Sequence, residues 1–141
     1  MSLSTLPEVA EALTALGYEA QITPDAVHAA VGGAESPFPT VLTVDDGGSL
    51  AITCRLARLG DVADLERFLF VALDLNTRIL PYAVGILTEA DGQEGSEDDW
   101  PLVLCNSVPL GDLSDGELAA AMDSLLQALV SCGAEFKDLL S

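Results

Sequence analysis

The stretch Thr40 to Leu56, TVLTVDDGGSLAITCRL, holds the clearest pattern in the chain. Asp45-Asp46-Gly47-Gly48 separates two apolar runs with residue types that suit the positive φ of a tight hairpin. In the second run Leu50, Ile52, Cys54 and Leu56 alternate with Ala51, Thr53 and Arg55, so the two sets face opposite sides of a pleated strand. Such alternation belongs to an antiparallel sheet with one buried face, and helices must cover that face.

Working outward, Thr5-Leu6-Pro7-Glu8 reads as a capping box with proline in the first turn, opening a helix whose buried side is Val9, Leu13 and Leu16. Gly17 supplies its left-handed stop. Tyr18, Ala20 and Ile22 then alternate with Glu19 and Gln21, and Thr23-Pro24-Asp25 turns the chain into a second short strand, Ala26 to Val31. Beyond the loop GGAESPFP come the strands Thr40–Val44 and Ser49–Leu56.

Asp61 is the predicted N-cap of a helix from Val62 to about Asn76. At 100° per residue Val62, Leu65, Leu69, Ala72 and Leu73 form its buried arc, with Asp64, Arg67, Asp74 and Arg78 opposite. Phe70 and Val71 fall in or beside the polar arc, which marks them as contact residues for a partner or a second copy of the chain. In LDLNTRILPYAVGI, Leu73 to Ile86, Asn76 is read as a helix stop that tolerates the left-handed conformation, and Ile79 begins a strand to Leu87 with Pro81 near its start. Leu102–Val108 returns. Ser114-Asp115-Gly116-Glu117 is a second capping box, after which Leu118, Ala121, Met122, Leu125, Leu129, Cys132, Phe136 and Leu140 make one stripe. That stripe is longer than a narrow sheet needs, so its end could meet another subunit.

The expected architecture is thus a single α+β domain over residues 1–141, an antiparallel sheet packed with three helices in the order α-ββ-ββ-α-ββ-α.

Composition narrows the function. With 23 acidic residues against 5 basic ones, the net charge of −18 repels phosphate backbones and anionic lipid, which argues against direct nucleic-acid binding and favours a positively charged partner. No apolar run approaches the ~20 residues that cross a bilayer, and MSLSTLPEVAEAL lacks the basic start of a secretory signal, so membrane insertion is not expected and a cytoplasmic location is. Cys54, Cys105 and Cys132 form no CxxC pair and fit buried thiols. His28 is the sole histidine, and no nucleophile, phosphate or zinc motif is present. The six carboxylates of TEADGQEGSEDDW do not fall in the spacing of a calcium loop. The expectation is a protein that is not an enzyme, with no catalytic residue, cofactor or metal.

The runs PFPTVLTVDDGGSLAITCRL, LDLNTRILPYAVGI and PLVLCNSVPLGDLSDGELAAAM resemble the YjfI-like bacterial family. More distantly, LDLN at a helix end, VPLGDLSDGEL before the last helix, and the size and acidity are similar to the type III secretion chaperone (Tir chaperone) and YbjN-like superfamily. That resemblance implies a type III secretion chaperone-like fold that often dimerises and binds an unfolded segment of another protein. Two functional expectations stand: a non-catalytic chaperone-like or adaptor-like module that holds a partner segment, as a homodimer, or, from the acidic charge, an acidic inhibitor or nucleic-acid mimic that occupies a basic site.

Overall fold

A computed structural model describes residues 2–32, 37–88 and 97–140. Its elements are β1 (Ser2–Leu3), α1 (Leu6–Ala15), β2 (Ala20–Ile22), β3 (Val27–Val31), β4 (Phe38–Val44), β5 (Ser49–Arg58), α2 (Leu65–Leu75), β6 (Ala83–Ile86), β7 (Pro101–Pro109), β8 (Leu113–Ser114) and α3 (Asp115–Glu135). Six strands form an antiparallel sheet in the order β2-β3-β4-β5-β7-β6, which is the expected α+β arrangement. A separate two-stranded pair, β1 with β8, joins Leu3 to Leu113 across the start of α3. Both leucines are buried, so this short ladder anchors the amino terminus to the last helix.

The hairpin β4–β5 turns as its residues predict. Asp45 Oδ1 accepts from Gly47 N and Ser49 N, each at 2.9 Å, and Gly48 takes φ +78°, where a Cβ would be strained. Leu50, Ile52 and Cys54 of β5 are fully buried, and register carries the same face through Leu42, Leu104, Val27 and Ala29. Val9 and Leu13 of α1, Phe68, Ala72 and Leu75 of α2, and Leu118, Met122 and Leu125 of α3 close over it in one cluster.

Four expectations are corrected locally. Leu16, read as part of the buried side of α1, is 44% exposed, because the helix ends there and Gly17 at φ +100° turns the chain away. Asp61 does not cap α2; it closes a 3-10 turn by accepting from Arg58 N at 3.0 Å, and Asp64 is the cap, accepting from Arg67 N at 3.1 Å. The strand expected from Ile79 starts only at Ala83, after a turn that contains the cis Leu80–Pro81 bond. The end of α3 does not protrude either: Cys132 and Phe136 are buried, and the following residues return to Val62 and Ala63 through the bridge Val62–Leu140 and the bond Ala63 N to Leu139 O at 2.9 Å.

Asn76 stops α2 as expected but by another means. Its backbone is right-handed, φ −57° and ψ −23°, so left-handed tolerance is not used. Instead its amide grips β6: Val84 N donates to Oδ1 at 2.7 Å, and Nδ2 donates to Val84 O at 3.3 Å. β6 is an edge strand, with β7 on one side only, and the asparagine supplies at Val84 the donor and acceptor that a neighbouring strand would give.

Candidate functional site

Helix α2 departs from its expected orientation, and that departure creates the candidate site. Phe68, not Leu69, enters the core, where its ring lies 4.6 Å from that of Phe136. With Phe68, Ala72 and Leu75 inward, Leu65, Leu69 and Leu73 roll outward to 45%, 40% and 70% exposure. Phe70 is 68% exposed, and with the three leucines it lies in an arc of about 140° on the helical wheel, interrupted only by Glu66. A contiguous outward apolar strip of this kind is unusual on a helix bounded by water, whereas isolated exposed leucines are common.

The structure separates the two predicted contact residues. Phe70 points away from the core, and Arg67 sits over its ring at 6.0 Å, the outer limit of a cation–π contact. Val71 lies on the opposite flank of the buried face, half-buried and packed against the core. The leucines at 65, 69 and 73 were missed as surface residues because their spacing of four is also the spacing of a core stripe.

The second candidate surface is the outer face of the sheet. In register it carries His28, Ala30, Val41, Thr43, Ala51, Thr53, Arg55, Ala83, Gly85, Val103 and Cys105, with no Asp or Glu among them. Only Val103 is buried among the described residues of that face. His28 is exposed, flanked by Gln21 and Val41.

The interior offers little chemistry. Burial pushes the Cys132 thiol up to about 12 and raises Cys54 and Cys105 as well, so all three remain neutral and poorly nucleophilic. The Tyr82 hydroxyl donates to Ala121 O at 2.9 Å and is likewise raised by burial. The Asn106 amide opposes that rise, and its buried Nδ2 has no hydrogen-bond partner among the described residues. Among the described residues no group of three His, Cys, Asp or Glu is placed to hold a metal ion, and no helix is long and apolar enough to cross a membrane. The loop read against the calcium spacing lies mostly outside the described residues, which resume with the 3-10 turn Glu97–Asp99.

Comparison with solved structures defines the class of fold. YbjN from E. coli, a candidate transcription regulator, superposes with a TM-score of 0.63 at 16% identity, covering 99% of each chain. The Yersinia pestis type III secretion chaperone SycH, solved in complex with a stable fragment of YscM2, superposes with a TM-score of 0.55 at 20% identity, covering 90% of this chain and 98% of that one. The chain therefore has the type III secretion chaperone-like α+β fold that YbjN and SycH share. No family model and no curated protein matches the sequence, so the YjfI-like resemblance gains no support from these comparisons.

Proposed function

We propose that this protein is a non-catalytic binding module, chaperone-like or adaptor-like, which holds a segment of another protein and works as a homodimer. The observation that carries this reading is the outward strip on α2: Leu65, Leu69, Phe70 and Leu73 stand in solvent while the core is already closed beneath them. Burying apolar surface releases roughly 25 cal/mol per Å2, and these four side chains are available for that gain only in a complex. Phe70 closes one edge of that strip, and Val71, across the polar side and half-buried, contributes the part of its side chain that the core leaves exposed. The fold supports the same reading, since SycH was solved with a fragment of another protein bound. The acidic surface keeps such an assembly in solution.

Replacing Phe70 and Val71 together by Ser tests the assignment. The expected result is loss of a bound partner in affinity capture from native cell extract, with little dependence of the wild-type interaction on salt. Retention of the same partner by the variant would show that these residues are not the contact, and a steep loss of wild-type binding with salt would favour the acidic mimic instead.

A further inference from the structure

The backbone groups of β6, the strand at which the sheet ends, divide by parity. Leu87 N donates to Pro101 O at 3.0 Å in the same register that pairs Gly85 with Val103 and Ala83 with Cys105, so these three residues turn their N–H and C=O toward β7. Val84 and Ile86 therefore direct theirs away from the sheet. An edge of this kind is a template for another strand, and charge, proline or a covering segment usually blunts it. Ala83–Ile86 holds neither charge nor proline. Its cover is one side chain. Asn76 follows the buried Leu75 at the end of α2, and its amide takes both groups of Val84, at 2.7 and 3.3 Å.

The same parity fixes the ladder that this edge can form with a copy of itself. Laid antiparallel about a two-fold axis through Gly85, Val84 of each copy faces Ile86 of the other, and the outward groups exchange four hydrogen bonds. Every one of the four has a Val84 at one end. Gly85 meets its counterpart in the narrow pairing, with Cα atoms about 4.5 Å apart, and neither copy has a Cβ there to obstruct it. A register centred on Val84 instead calls on Tyr82, whose N–H is already held by Ile79 O at 2.9 Å.

We propose that the Asn76 amide is an intramolecular stand-in for a strand, and that it keeps β6 from pairing with β6 of a second copy of this chain. Since all four bonds need Val84, one side chain per copy denies the whole ladder. The proposal stands on the edge geometry and does not rest on the α2 surface.

Sedimentation equilibrium of the full chain tests it on a Leu73→Asp background, which removes association through α2, and in high salt, which screens the charge of −18 on each copy. Leu73→Asp alone should have a single-chain mass, and Leu73→Asp with Asn76→Ala twice that. Adding Gly85→Lys should restore the single-chain mass: a Cβ at Gly85 meets nothing within 4 Å in its own chain, but like charges would stand face to face across the two-fold axis. Leu125→Ala, which loosens the core and leaves the amide in place, should not raise the mass on the same background. Amide hydrogen exchange of Leu73→Asp keeps the test open if Asn76→Ala does not fold: Val84 N–H should exchange at least about tenfold more slowly than the uncovered Ile86 N–H, the factor that one hydrogen bond provides.

An unchanged mass on adding Asn76→Ala would overturn the proposal, as would a doubling that persists with Gly85→Lys or also appears with Leu125→Ala. Equal exchange at Val84 and Ile86 would overturn it as well. A two-chain mass for Leu73→Asp alone would count against the α2 surface only, and Asn76→Ala should still raise that mass.

Discussion

Helices α2 and α3 carry similar apolar patterns and use them differently. In α3, Leu118, Ala121, Met122, Leu125, Ala128, Leu129 and Cys132 fall within an arc of about 120°, and all of them are buried. In α2 only Phe68, Ala72 and Leu75 are buried, and the adjoining leucines face solvent. Apolar spacing shows that a helix has a greasy side; it does not show how far the helix is rolled about its axis when that side is wider than the core requires. A broad stripe on a short helix is therefore as informative about partners as about folding.

The largest expected effect contrasts one leucine from each helix. Leu125→Ala should destabilise by about 2–5 kcal/mol, the usual cost of truncating a fully buried leucine, whereas Leu73→Ala should stay within about 0.5 kcal/mol when both are measured by urea denaturation at a chain concentration low enough to dissociate the dimer. Comparable losses in the two variants would mean that α2 is rolled as its leucine spacing suggests.

Next in size is the junction between α2 and β6. Asn76→Gly should cost about 1–3 kcal/mol, because it leaves Val84 N and Val84 O without the amide that satisfies them. If Asn76 served only as a left-handed stop, glycine would be neutral or better there, so the sign of this change decides between the two roles.

A smaller effect per unit of pH comes from the thiol beneath α3. The Cys132 pKa is raised from 9.0 in the open chain to about 12 in the fold, so the unfolded state loses its proton first as pH rises. Stability is then fully present below pH 9 and falls between about 9 and 12 by roughly 1.4 kcal/mol per pH unit for this group. Cys54 and Tyr82, both raised by burial, act in the same direction. Urea midpoints followed from pH 8 to 10.5 should decline more gently in Cys132→Ala than in the wild type; equal slopes would place the thiol in contact with water.

How much of this could be read in advance depended on how local each signal was. The hairpin at Asp45–Gly48, the alternation of β5 and the capping box at Ser114 involve partners within a few residues, and the structure has them where the sequence puts them. Asn76 answers to Val84 across a turn, and no periodicity links the two. The pairing of Leu3 with Leu113 spans almost the whole chain in two-residue strands, too short for alternation to register. The candidate contacts were half legible. Phe70 stood out as an aromatic residue on a polar side, but the leucines beside it looked like core until Phe68 was found against Phe136. The register shift between Arg55 and Ala57 of β5 likewise leaves no mark in residue type.

The central claim is that the outward side of α2 is an association surface. Sedimentation equilibrium of the wild type beside Leu73→Asp at micromolar concentration tests it most directly. The account predicts twice the mass of one chain for the wild type and a single-chain mass for the variant, with superimposable far-UV circular dichroism. Identical masses for the two proteins, whether of one chain or of two, would contradict it.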